Sequence, residues 1–164
     1  MIVLDTNVLS EVMKPAPSLQ VLRWMASHPA LTLFTTAITQ AEILYGVELL
    51  SKGKRRAALQ AAVDAMFTQD FSGRVLPFDS DAARMFPRIV AARRASGRPI
   101  AQFDAQIAAI ARSRGAELAT RNTNDFEHCG VTLLNPWDKS TLRAAKDFDL
   151  LHQTTFTPNC TCRG

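Results

Sequence analysis

The chain opens on Ile2-Val3-Leu4, three consecutive apolar residues closed by Asp5. Apolar residues in a row, rather than alternating with polar ones, mark a strand buried on both faces. Such strands belong inside parallel sheets with helices on either side. Comparable short runs recur at residues 31–35, 75–78, 117–120 and 131–134. Helical patterns separate them. The first covers 8–13 and is stopped by Pro15. The second covers 19–27, with Ser18 as its cap and Pro29 beyond its end. Residues 38–50 and 54–67 follow, the latter with Leu59, Ala62, Val63, Met66 and Phe67 on one face. A long helix is expected from Ser80 to 96, with Ala83, Phe86 and Val90 inward and a kink at Pro87. The last, 102–114, is closed by Gly115. Strands alternating with helices predict an α/β domain with a central, mostly parallel five-stranded sheet flanked by helices.

A chain of 164 residues is expected to form one domain with a substantial core. Residues 1–137 are assigned to it. Residues 138–164 form a C-terminal extension, with a helical turn or two at 140–146 and otherwise no period, read as poorly ordered. No apolar run approaches the roughly 20 residues of a membrane span, and the N-terminus lacks the pattern of a signal peptide. A cytoplasmic protein without a membrane partner is the expectation. Cys129 stands alone, and Cys160-Thr161-Cys162 with His152 makes a poor zinc site because no second pair of ligands accompanies it.

Four acidic residues carry the chemistry: Asp5, Glu42, Asp104 and Asp125. Asp5 ends the first strand and Asp125 follows the fourth. Glu42 shares a helical stripe with Ile38, Tyr45 and Leu49, and Asp104 shares one with Ile100, Ile107 and Ala111. A carboxylate on a core-facing position must be paired or hold a metal, since desolvating it alone is too costly. Singly, each is simplest as a helix cap or a surface acid. Open α/β sheets bind ligands beyond the carboxyl ends of their strands, and one sheet edge brings all four together there. Carboxylates converging without histidine or cysteine suit Mg²⁺ or Mn²⁺, and so phosphodiester chemistry. A metal lowers the pKa of the water it binds, so no histidine base is required. His28, His128 and His152 are not placed to supply one.

The formal charge is +4, from 19 basic and 15 acidic side chains. With the four acids set aside, the basic excess of the remaining body doubles. A basic body around an acidic pocket suits a nucleic acid. The same lysines and arginines also suit plain solvation of helix surfaces, and the composition is compatible with both.

At these residues the chain resembles the PIN-domain nucleases. Leu4-Asp5-Thr6-Asn7 after an apolar strand is similar to their opening. So is Glu42 within the run from Ile38 to Gly46. Gly97-Arg98-Pro99-Ile100 followed by Asp104-Ala105-Gln106-Ile107 resembles the third block. Ala119-Thr120-Arg121-Asn122 with Asp125-Phe126, then Leu134-Asn135-Pro136-Trp137, resembles the fourth and the close. The likeness runs over residues 1–137 and is nearest to the VapC/FitB group of toxins from type II toxin–antitoxin pairs. It implies an Mg²⁺- or Mn²⁺-dependent endoribonuclease, a cognate antitoxin and a homodimer. It also implies that Asp5, Glu42, Asp104 and Asp125 form the metal site.

Around those acids, the likeness gives Thr6 and Asn7 a positioning role and makes Thr120 and Asn122 polar support. Thr120 and Asn122 read equally well as turn formers at a strand end. Arg93, Arg94, Arg98 and Arg121 are the candidates for holding RNA, by the fit of guanidinium to phosphate. Lys52, Lys54, Arg55 and Arg56 read as a solvated helix start. Two other functions compete: a non-catalytic PIN-like RNA-binding module, and a phosphotransfer domain. The second is disfavoured because Asp5-Thr6-Asn7 is not Asp-x-Asp and no suitable lysine follows.

Overall fold

The computed structural model describes residues 1–138. The expected extension from residue 139 onward, with its helical turn and Cys160-Thr161-Cys162, lies outside the described residues. Strands β1 (Ile2–Leu4), β2 (Leu33–Thr36), β3 (Val75–Leu76), β4 (Glu117–Ala119) and β5 (Leu133–Leu134) form one sheet in the order β3-β2-β1-β4-β5. Every neighbouring pair is parallel. Ile2 lies opposite Leu33 on one side and Glu117 on the other. The chain steps outward from β1 to β3, then returns to β4 on the other flank of β1. The carboxyl ends of β1 and β4 therefore border the point where the winding reverses, the place such sheets leave a crevice.

Among the described residues seven helices cover the sheet: α1 (Thr6–Val12), α2 (Leu19–Ala26), α3 (Ala37–Glu48), α4 (Lys54–Ala65), α5 (Ser80–Ala95), α6 (Gln102–Ser113) and α7 (Thr123–Phe126). Ile2 and Leu4 face one core with Leu9, Val21, Trp24, Ile43, Val47 and Phe67. Val3, between them, faces a second core with Ile89, Ile107, Ile110, Leu118 and Phe126. Both faces of β1 are thus dry, as its unbroken apolar run predicts. Full burial of one such side chain contributes about 1.5–3 kcal/mol, so β1 is firmly held beside the crevice.

Several boundaries differ from expectation, each for a physical reason. β2 begins at Leu33, because residues Ala30–Thr32 form a 3-10 turn in which Thr32 N donates to Pro29 O at 2.8 Å. β3 ends at Leu76, since Pro77 has no N–H to extend the ladder. β5 is confined to Leu133–Leu134. α4 stops at Ala65 and the chain continues through a π turn, Met66–Asp70, closed by Phe71 N donating to Met66 O at 2.8 Å.

The cap of α5 is Asp79, not Ser80; its carboxylate accepts from Asp81 N and Ala82 N. The fully inward residues of α5 are Ala82, Ile89 and Arg93; Phe86 packs against the same core as expected, while Ala83 is exposed. Pro87 sits on the solvent side of α5, which runs on through it. Ser18 occupies the cap position of α2 without a side-chain cap bond; its N–H instead donates to Glu11 Oε1 at 2.9 Å.

Candidate active site

Asp5 sits where β1 turns directly into α1. Its backbone N–H donates to Ala119 O at 3.0 Å, continuing the pairing of β1 with β4. Its carboxylate also caps α1, with Oδ1 accepting from Thr6 N at 2.7 Å. Oδ2 accepts from Asn7 Nδ2 at 2.7 Å and from the Thr120 hydroxyl at 2.7 Å. Asn7 Nδ2 also donates to Thr120 Oγ1 at 2.9 Å, and Asn7 Oδ1 accepts from Arg121 N at 3.1 Å. Both ends of the Asn7 amide have matched partners. Asn122 N donates to Thr120 Oγ1 at 3.1 Å.

Asp5 is only 4% exposed. Burial raises its pKa above the usual carboxylate value, the Thr120, Thr6 and Asn7 hydrogen bonds oppose that rise, and Glu42 adds to it. The network orients Asp5 while Oδ1 keeps lone-pair capacity beyond the one bond from Thr6.

Glu42 is reached from α1. The Thr6 hydroxyl donates to Glu42 Oε2 at 2.5 Å across 36 positions of sequence. The stripe that carries Glu42 is not core-facing as expected: Tyr45 and Leu49 on it are 64% and 67% exposed. α3 is apolar on most of its faces, and it packs inward through Ile43 and Val47. Its start is capped by Thr36, whose hydroxyl accepts from Thr39 N at 3.0 Å. Glu42 is thereby left half-buried on the outward side, facing Asp5.

Asp104 lies in the first turn of α6. That helix follows the expected stripe, with Ile107 and Ala111 fully buried. Asp104 itself is half-buried. Asp125 is exposed in the first turn of α7, a short helix not anticipated from the sequence. The pKa of Asp104 is pushed up to about 6, first by burial and then by the charges of Asp5, Asp125 and Glu42. The four acids therefore share one electrostatic neighbourhood. None of the ion pairs formed among the described residues includes any of them.

Oxygen-only donors with uncompensated negative charge fit a hard divalent cation in chemistry and in charge. As the side chains stand, no three histidine, cysteine or acidic groups among the described residues are close enough to hold an ion.

The arginines divide. Arg121 is exposed at the end of β4, with its guanidinium carbon 5.6 Å from the centroid of the Trp137 ring, a cation–π distance. Trp137 was not anticipated as a site element, although its place just after β5 is readable. Arg94 is exposed. Arg98 pairs with the Glu127 carboxylate. Arg93 is not available to RNA as expected: it is 4% exposed, and its Nη1 donates to the backbone oxygens of Glu127 and Asn124 at 2.8 and 3.3 Å. Asn122 is exposed and contributes its backbone N–H rather than a side-chain bond.

The family model of the PIN domain matches residues 2–131. The chain belongs to the PIN-domain family. This PIN domain is 42% identical to VapC ribonuclease Y4jK of Sinorhizobium fredii, over 84% of this chain and 99% of that protein. It is 38% identical to Toxin FitB of Neisseria gonorrhoeae, again over 84% of this chain and 99% of the relative. Among solved structures, FitAcB from Neisseria gonorrhoeae superposes with a TM-score of 0.79 at 38% identity, covering 84% of this chain and 99% of that one. The parallel five-stranded sheet and its helices are thus the PIN fold, and the resemblance read from the four acidic blocks holds across the domain.

Proposed function

We propose that this PIN domain is a divalent-metal-dependent endoribonuclease and the toxin of a type II toxin–antitoxin pair. One observation carries the reading. Asp5, Glu42, Asp104 and Asp125 gather at the switch point of the sheet without a cationic partner, where burial first and then the charges of the other three push Asp104 up to about 6. Relatives named as a VapC ribonuclease and as a toxin support it. No observation favours a non-catalytic RNA-binding module, which has no use for four mutually repelling carboxylates.

Asp5, Glu42, Asp104 and Asp125 would hold the metal, Mg²⁺ or Mn²⁺. When bound, it supplies a lowered pKa for water and offsets charge developing at the scissile phosphate. The protein's own part is orientation. Thr120 and Asn7 aim Asp5 by donating to Oδ2. Thr6 holds Glu42 through Oε2. Asp104, with its pKa pushed up to about 6, loses its proton in mildly acidic solution and is mostly ionised at neutral pH. Arg121, braced on Trp137 at the rim, attracts the RNA backbone. Tyr45, Leu49 and Phe103 are large, exposed apolar side chains close in sequence to Glu42 and Asp104. They suit a protein partner, namely a cognate antitoxin segment or a second copy of the chain.

The experiment is cleavage of end-labelled total RNA by purified, antitoxin-free protein and its Asp5→Asn variant, each with Mg²⁺, Mn²⁺ or chelator. Metal-dependent fragments from the wild type alone are expected. Cleavage that survives both the substitution and chelation would refute the proposal.

A further inference from the structure

The segment from residue 123 to 130 carries Asp125 but has little structure of its own. α7 spans only Thr123–Phe126, and the backbone then passes through positive φ at His128 (61°) and Gly130 (72°). Phe126 and Cys129 anchor it inward. Three arginines grip the rest. Arg112 Nη1 donates to Cys129 O at 3.2 Å, and Arg98 pairs with the Glu127 carboxylate. Arg93 reaches from α5 and bonds the carbonyls of Asn124 and Glu127, which bracket Asp125 on both sides.

We infer that Arg93 is a positioning residue for Asp125, setting where the fourth carboxylate stands relative to the other three. The inference deepens the metal-dependent reading above and rests on it. A purely structural tie would not need this side chain. Arg93 is buried, its Nε has no hydrogen-bond partner, and it takes part in none of the ion pairs among the described residues. A buried cation held only by neutral carbonyls is a costly way to fill space. Its Nη1 does, however, fix two carbonyls of one turn at once. Beside it lies a cleft of about 340 Å³ lined by Arg93, Arg98, Pro99, Asn124 and Glu127. The Asp125 turn has room to relax into that cleft once the guanidinium is removed.

The test is Mn²⁺ binding by titration calorimetry, with no RNA present, on the full chain. Wild type, Arg93→Met, Arg93→Lys, Asp125→Asn and the double variant Arg93→Met/Asp125→Asn are compared, with circular dichroism to establish folding. Arg93→Lys keeps the charge and serves where the methionine variant does not fold. Each Arg93 variant is expected to bind Mn²⁺ roughly tenfold more weakly, as happens when an outer partner of a metal ligand is lost, and Asp125→Asn, which removes the ligand itself, at least as weakly. The double variant should bind no more weakly than Asp125→Asn alone. Losses that multiply in the double variant would overturn the inference, as would wild-type affinity in folded Arg93 variants or in Asp125→Asn. A folded wild type that binds no Mn²⁺ would overturn the metal-dependent reading as well.

Discussion

The Thr120 hydroxyl donates a 2.7 Å hydrogen bond to Asp5 Oδ2, joining residues 115 positions apart at the carboxyl ends of β4 and β1. Thr120 is fully buried, and its oxygen also accepts from Asn7 and Asn122. Thr120→Val keeps the shape and removes all three bonds. An orphaned buried donor or acceptor costs roughly 1–3 kcal/mol, and a loss of that order is expected in urea unfolding. The same bond is the largest influence holding the Asp5 pKa down. The acid limb of the RNA cleavage profile should therefore move to higher pH in Thr120→Val and return in Thr120→Ser. An acid limb that stays in place would separate Thr120 from the site.

Thr6→Val tests the link between Glu42 and α1. The backbone bond from Thr6 N to Asp5 survives the change, so the cap of α1 is retained. Only the bond to Glu42 Oε2 is lost. Loss of such a support for a metal-binding carboxylate typically weakens activity 10- to 100-fold, while stability should change by less than about 1 kcal/mol. Single-turnover cleavage across an Mn²⁺ series would show the loss, and unchanged activity at limiting metal would deny Thr6 its role.

What the chain discloses before folding follows from the reach of each signal. The unbroken apolar run Ile2-Val3-Leu4 announces a doubly buried strand because burial on both faces leaves nothing polar to alternate with. Asp104 is legible because it falls on the stripe of Ile107 and Ala111, both fully buried in α6. The stripe through Glu42 reads as core-facing although Tyr45 and Leu49 on it are exposed, because α3 has apolar residues nearly all round and the stripe has no unique phase. On α5, Phe86 packs against the core as its stripe predicts, while Ala82 and Ile89 rather than Ala83 and Val90 are the buried neighbours, and only geometry shows that Asp79 rather than Ser80 is the cap. The Thr6–Glu42 bond and the burial of Arg93 depend on residues 36 and about 31–34 positions apart, and no local pattern encodes them.

Asp104 gives a stability prediction whose sign is fixed by its raised pKa, about 6 against an ordinary 3.8. Between those values the folded state binds more protons than the unfolded one. Stability of the metal-free protein therefore falls as pH rises from about 4 to about 6, and the penalty persists above that. Asp104→Asn removes the penalty. Because Asp104 is half-exposed, solvent screening reduces the effect to the order of 1 kcal/mol, or about 2–4 °C in melting temperature. The metal-free variant should melt higher than wild type at pH 7.5 and alike at pH 4. Divalent metal should raise the melting temperature of wild type and do so far less for Asp104→Asn. A lower melting temperature for the metal-free variant at pH 7.5 would contradict the charge repulsion inferred here.

Arg121 and Arg98 should separate in RNA binding. Arg121 is exposed beside the acidic rim and braced on Trp137, whereas Arg98 is engaged by Glu127. A guanidinium that neutralises one phosphate contributes close to one unit of the slope of log affinity against log salt. In an Asp5→Asn background, where binding is measured without turnover, Arg121→Ala should reduce that slope by roughly 0.7 for single-stranded RNA. Arg98→Ala should leave it nearly unchanged, because Arg98 loses one anionic partner before it can gain another. Trp137→Ala keeps the Arg121 charge and frees its side chain, so it should weaken binding with little change in slope. Equal slopes for wild type and Arg121→Ala would move the phosphate contact elsewhere on the basic surface, with exposed Arg94 the next to be substituted.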